Sequence, residues 1–379
     1  MATSDTLALS EVQHALRDTL RGLLADQLPP AALRAALETE VGYSTELHAR
    51  LAEELGLAGL TIPEKFGGLG MSQADASVVH TELGRVLYPG PFLSSGLAAG
   101  MLLATGDRDA QECWLPRLAE GSVTGTVAAA DEAGHWAPGA NSVRAERAPG
   151  GWRLYGHRWY VIAGHMADIV VVPAIIESGL AIFLVESESL GFTASGQLGL
   201  DLTRRVCVAA FDEAPAVLLG QGQNASAALD QAERDLLLAT AAEAAGGIAW
   251  CLDATIAYAR DREQFGRTAG SFQTLAQACL DMLAEFQAVT SAARYAAVAA
   301  ADGADQAPTV AHVAAMRAGV AYRAVTESAV RLFGKAGSAW EQDLQLYYRR
   351  AWSAERLAGG PQAQPAAVSD GSPRVADQV

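Results

Sequence analysis

Midway along this chain the spacing of apolar residues switches from a helical period to a strand-like one and then back. That order restricts the fold more than any other feature. Up to about residue 120, LSEVQHALRDTLRGLLADQL and YSTELHARLAEELGLAGL place leucines three and four apart, with glycine or proline closing each run. TIPEKFGGLGMS interrupts them as a turn-rich loop. From about 121 to 222 come short β-rich runs, SVTGTVAAA, GWRLYGHRWYVIA, DIVVVPAII, LAIFLVES and RRVCVAAFD, separated by Gly, Asp and Pro turns. From 223 long Ala-rich helical runs return, enough for an antiparallel bundle of four. The expected organisation is an N-terminal helical domain (1–120), a middle β domain (121–222), a C-terminal helical bundle (223–360) and a disordered tail (361–379) poor in apolar residues. A β domain between two helical ones predicts a ligand cleft where the three meet.

At 379 residues the chain is too long for one ordinary core, and with 50 % hydrophobic residues it can bury several. No run of about eighteen apolar residues suited to a bilayer is expected, and acidic residues near the start speak against an export signal. Cys113, Cys207, Cys251 and Cys279 are scattered, which speaks against a disulfide framework or a metal cluster and fits a reducing cytoplasm. The net charge of −16 disfavours nucleic acid and anionic membrane as partners. An anionic ligand would need a local arginine cluster. Candidates are Arg204 with Arg205, Arg260 with Arg262 and Arg267, and Arg349 with Arg350; a solvated face is the other reading of each.

Several strings together point to a family. YARDREQFGRTAGSFQ resembles the FAD-contacting turn of the acyl-CoA dehydrogenases, and LGLAGLTIPEKFGGLG and ELGRVLYPGPFLSS resemble two of their N-terminal motifs. HRWYVIAGHMADIVVVPA resembles the strand pair beside the flavin ring, and VRLFGKAGSAWEQDLQLYYRRAW a motif near the C-terminus; the likeness runs from about residue 10 to 360. Within the family the chain looks most like the actinobacterial type acting on steroid side chains and other bulky acyl-CoAs. The resemblance implies a mainly α fold whose middle domain is β-barrel-like, FAD as cofactor, and an oligomer in which the connector serves a neighbouring subunit's flavin. In that connector Arg262 offers a fork of donors to a pyrophosphate, Gln264 and Gln273 bond ribose or adenine, Phe265 covers an adenine face and Gly266 permits close approach. An ordinary charged helix connection is the plainer alternative. Trp159 matches the tryptophan beside the flavin, or is a core residue of the β domain; Gly334 and Gly337 match glycines that approach FAD.

The departures from the family pattern matter as much. The TEPxxGSD loop is replaced by VAAADEAGHWAPGANS, and Arg331 and Lys335 alter the QxxGGxG motif. His165 and Asp168 read as a turn-stabilising pair, and Glu341 and Asp343 as braces for the last helices. Desaturation of a thioester needs a carboxylate to take the α proton, yet Ala358 stands at the usual position of that glutamate and Leu236 at the alternative one, with Asp235 beside it. Glu243, on the apolar stripe Leu229, Ala232, Leu236, Ala239, Gly246 and Trp250, is either a base with raised pKa or a hydrogen-bonded glutamate of the bundle. The expected activity is α,β-desaturation of a bulky or branched acyl-CoA or acyl-carrier thioester, with electrons passing to an electron-transfer flavoprotein. The alternatives are a half-site or non-catalytic subunit of a heteromeric dehydrogenase and a flavin-dependent tailoring oxygenase on the same fold.

Overall fold

The structure is a computed structural model that describes residues 7–136, 143–197, 199–261, 263–264, 267–268, 273–334, 337, 339 and 342–357. Six helices come first: α1 (Glu11–Gln27), α2 (Pro30–Glu38), α3 (Thr45–Glu53), α4 (Gln73–Arg85), α5 (Phe92–Thr105) and α6 (Arg108–Glu120). Side-chain caps set the starts of α1, α3, α4 and α6. Ser10 and Gln13 form a capping box on α1, and Ser72 and Asp75 another on α4, satisfying amides that a helix start leaves free. The turn-rich loop between α3 and α4 is compact, and buries Leu57, Leu60, Ile62 and Phe66.

Seven strands follow: β1 (Gly125–Val127), β2 (Arg144–Ala148), β3 (Gly151–Ile162), β4 (Ile169–Ile176), β5 (Gly179–Glu186), β6 (Phe192–Gly196) and β7 (Val206–Gln221). Pairings of β4 with β2, β2 with β3, β3 with β7, β7 with β5 and β5 with β4 close a five-stranded ring, so the domain is barrel-like. β1 adds to β4 and β6 to β7. β4 is buried at seven of its eight positions, because helices cover one face and the barrel interior the other. β2 and β6 were not legible as strands: RAERA and FTASG are only five residues long with two apolar positions each, and they form because long neighbours supply ladders for them.

The bundle comprises α7 (Gln223–Asp261), α8 (Gln273–Ala301), α9 (Ala307–Phe333) and α10 (Leu344–Leu357). α7 has 39 residues and is therefore about 58 Å long. Its first half packs with α5 and α6 on the outer face of the barrel, its second half with α4 and the rest of the bundle, so one helix walls two cores. By length and composition residues 223–260 would cross a bilayer, contrary to the expectation from sequence, but 83 % of the most apolar stretch is covered by neighbouring elements. Between α7 and α8 lies a short ladder of β8 (Glu263–Gln264) and β9 (Arg267–Thr268), with Gln264 opposite Arg267. The tail at 361–379 lies outside the described residues.

Candidate active site

Where α4 crosses α7 the backbones almost touch. A Cβ at Gly84 would collide with the backbone of Glu243, and one at Gly246 with the Thr81 carbonyl. Only residues without a side chain permit this approach. It sets His80 Nδ1 3.5 Å from Glu243 Oε1. The segment between β6 and β7 brings Arg204 to the same carboxylate, whose Oε2 accepts from Arg204 Nη2 and stands 3.3 Å from Arg350 Nη1 on α10. Arg350 also pairs with Asp201 Oδ2 at 2.8 Å and donates to the Thr203 carbonyl at 2.8 Å and hydroxyl at 2.7 Å. The result is a buried network of two guanidiniums and two carboxylates joining the β domain to both helical domains. Its formal charge is balanced, as burial requires.

This network sets the proton affinity of Glu243. Burial pushes its carboxyl up, but Arg204, His80 and Arg350 together outweigh that and hold it down at about 2. A raised pKa, which would suit a proton acceptor, is the reverse of what the site produces. Glu243 is hydrogen-bonded inside the bundle. The sequence placed it on an apolar stripe but could not show the cations that reach it from 39 and 107 residues away. Arg204 and Arg350 are accordingly neither a solvated face nor a free anion cluster. Arg205 closes the end of α2, donating to the carbonyls of Leu37, Thr39 and Glu40 at 2.5–2.9 Å.

A pocket lies beside the network, lined by Tyr88, Phe92, Ile162, Ala163 and Met166 together with Arg204 and Glu243. Arg204 Nη1 is buried there without a hydrogen-bond partner. Along the same strand, β3 carries an irregularity: Arg158 pairs with Ala209 and Val161 with Cys207, so Trp159 and Tyr160 together face the single residue Val208. Tyr160 and Ala163 adopt φ of 52° and 55°, which is uncommon for residues with side chains. A bulge of this kind re-aims side chains. Trp159 is half-buried, with its ring 5.9 Å from that of His157, and joins none of the packed apolar clusters among the described residues. It is not a core tryptophan. Next to it Arg158 points into the barrel, 1 % exposed, donating to the Pro173 carbonyl at 2.7 Å; burial lowers its pKa to about 10, Asp131 offsetting part of the effect.

The remaining candidates are dispersed. Gly334 caps α9 at φ 60°, ψ −132°, a conformation reserved for glycine, and Gly337 packs where a Cβ would lie 2.7 Å from Phe333 Cβ. Gln273 opens α8 and is exposed, and the backbone of Gln264 lies in β8. Arg262, Phe265 and Gly266 lie outside the described residues, as do Lys335, Glu341 and Ala358. Asp343 pairs with Arg34 at 3.1 Å and so braces α10 against α2. His165 and Asp168 do not pair with each other: Asp168 Oδ2 accepts from Thr124 N at 2.7 Å, while His165 Nε2 lies 3.3 Å from the Val41 carbonyl. Leu236 is buried in an apolar cluster. Asp235 is also buried, and burial raises its pKa to about 6 against the lowering effects of Arg234 and Gln231.

Comparison with known proteins matches residues 10–122 to the acyl-CoA dehydrogenase N-terminal domain and 225–370 to the acyl-CoA dehydrogenase C-terminal domain. The chain is 35 % identical over 360 residues to acyl-CoA dehydrogenase IpdE2 of Mycolicibacterium smegmatis, covering 94 % of this chain and 97 % of that protein. It is 34 % identical to its namesake in Mycobacterium tuberculosis, over 93 % and 94 % of the two. Among solved structures, the ChsE4-ChsE5 complex from Mycobacterium tuberculosis superposes with a TM-score of 0.88 at 27 % identity, covering 96 % of this chain and 98 % of the other. Fold order, both terminal domains and chain-wide identity therefore agree: the chain belongs to the acyl-CoA dehydrogenase family.

Proposed function

We propose that this chain is a subunit of an FAD-dependent acyl-CoA dehydrogenase that desaturates the Cα–Cβ bond of a bulky or branched acyl thioester and delivers electrons to an electron-transfer flavoprotein. The observation that carries the reading is the likeness to IpdE2 over nearly the whole chain. The family is FAD-dependent, and the residues present fit the cofactor: an unpartnered Arg204 Nη1 in the pocket and a bulged, half-exposed Trp159 offer a donor and an aromatic face to a flavin ring. Gly334 and Gly337 would lie along the same cofactor, and Arg262, Gln264, Phe265, Gly266 and Gln273 would hold the ADP half of the one bound to a neighbouring subunit. When bound, the flavin accepts the β hydrogen as hydride.

What this chain's own residues do is orient and desolvate. Arg204 presents N–H donors at the pocket wall, and the ion network fixes the three domains around it. Taking the α proton is a different matter. Glu243 is the sole carboxylate among the described residues lining the pocket, and two guanidiniums hold it ionised with little affinity for a proton. This favours a second reading, in which the chain is one half of a heteromer and another polypeptide contributes the base. That the related ChsE4-ChsE5 structure is a complex of two named proteins agrees with it.

The test is the visible spectrum of the purified protein, alone and co-expressed with candidate family partners, followed by anaerobic addition of an acyl-CoA. Flavin that bleaches with the chain alone supports a self-sufficient dehydrogenase. Bleaching only in a mixed assembly supports the half-site subunit. A protein that is colourless in every assembly refutes both.

A further inference from the structure

Arg204 reaches the pocket from the segment that runs into β7, and backbone pairing ties that segment to the end of β3. Ala163 N donates to the Arg205 carbonyl at 3.0 Å, and Val206 pairs with Ile162 in the ladder. The guanidinium is therefore presented beside the strand whose irregularity carries Trp159. One of its edges is committed. Nη2 bonds Glu243 Oε2 across to α7, while Nη1 is buried at the pocket wall with no hydrogen-bond partner. The other basic residues of this wall are engaged, Arg205 by the carbonyls at the end of α2 and His165 by the Val41 carbonyl. Among the described residues lining the pocket, Nη1 is the one buried side-chain polar atom left without a partner.

A buried N–H without an acceptor is costly, which points to an acceptor that arrives with a ligand. The surrounding charges restrict what kind. Arg204 and Arg350 are matched by Glu243 and Asp201, so a permanently anionic ligand would leave one uncompensated negative charge in a buried place. A carbonyl oxygen keeps that balance at rest and draws on the cation only when it gains charge.

We propose that Arg204 Nη1 donates to a ring carbonyl of the flavin and thereby favours the reduced cofactor. The inference rests on the dehydrogenase reading above and deepens it. A hydride carries two electrons and one proton, so a neutral ring that accepts it gains one negative charge, spread in part onto its carbonyl oxygens. A guanidinium beside such an oxygen stabilises the charged ring more than the neutral one, and so raises the midpoint potential. Glu243 is then a positioning residue: its carboxylate holds the fork by Nη2 and leaves Nη1 at the pocket wall.

The experiment is a spectroelectrochemical titration of the flavin-loaded assembly, without substrate, on the parent and on the double variant Arg204→Met with Glu243→Gln. The double variant removes the cation together with its partner and leaves Arg350 with Asp201. It should lower the equilibrium constant for flavin reduction by about 10- to 100-fold, the range of a hydrogen bond to a charged group, which is a fall of about 30–60 mV in midpoint potential. Arg204→Lys keeps the charge and should recover more than half of that fall. The Raman carbonyl band of the oxidised flavin should rise in frequency in the double variant, a change that loosened packing alone does not produce. Should the double variant fail to retain flavin, Arg204→Gln carries the same test with the same expected fall. An unchanged potential and carbonyl band would overturn the assignment, and so would a carbonyl shift confined to a bound acyl-CoA, which would place the donor on the thioester. Those results bear on Arg204 alone; a protein without flavin in any assembly would overturn the dehydrogenase reading and this inference with it.

Discussion

Replacing Glu243 with glutamine should unsettle the fold before it touches chemistry. The substitution keeps the shape and removes the charge that two buried cations share. Arg350 retains Asp201 and both oxygens of Thr203. Arg204 has no such reserve: its side chain is 5 % exposed, Nη1 has no hydrogen-bond partner, and its ion pair is with Glu243. Stranding one buried charge costs about 3–5 kcal/mol. The proton affinity of Glu243 gives a consistent figure, since its displacement from 4.5 to about 2 corresponds to about 3 kcal/mol of preference for the ionised form in the folded protein. Because the folded pKa is depressed, that stability is present above pH 4.5 and disappears as pH falls toward 2. At about 2.1 cal/mol/K per residue, 379 residues give an unfolding entropy of about 0.8 kcal/mol/K, so the midpoint should fall by about 4–6 °C in scanning calorimetry at pH 7. Adding Arg204→Met to Glu243→Gln should restore about 2 kcal/mol, because the stranded cation is removed with its partner. A Glu243→Gln protein that melts within about 1 °C of the parent, keeps its flavin and loses α-proton exchange would refute the reasoning and restore Glu243 as the base.

Gly246→Ala should force α4 from α7 and cost about 1–3 kcal/mol, read as a lower urea midpoint with unchanged secondary structure. Asp235→Asn should stabilise the protein above pH 6 by about 1–3 kcal/mol and by nearly nothing at pH 4. The sign follows because burial raises the folded carboxyl to about 6 from 3.8, with Arg234, Gln231 and His80 as its polar neighbours; the penalty is present above the folded pKa and vanishes below the unfolded one. A pH-independent difference in melting midpoint would contradict it. Arg262→Ala should lower flavin occupancy after gel filtration, measured as the ratio of visible to ultraviolet absorbance, if that guanidinium grips a pyrophosphate; unchanged occupancy would remove Arg262 from the cofactor site.

The helix–strand–helix order was readable because periodicity is a local property: each run of leucines or valines must bury one face whatever lies across from it. β3, β4, β5 and β7 were legible for that reason, while β2 and β6 were not, since strands this short with few apolar positions exist only where partners offer them a ladder. The family resemblance was likewise carried by short contiguous strings. The meaning of Glu243 was not contained in any string. Its neighbours in sequence are alanines, and its neighbours in space are Arg204, Arg350 and His80, from three separate elements. Arg350 gave the same faint signal as Glu243, a charge on the apolar stripe of Leu346, Tyr347, Ala351 and Ala354. A stripe shows that a charge is buried but not what compensates it. Whether a buried carboxyl is driven toward protonation, as at Asp235, or held ionised, as at Glu243, depends on cations arriving from elsewhere in the fold, and only the tertiary structure decides that.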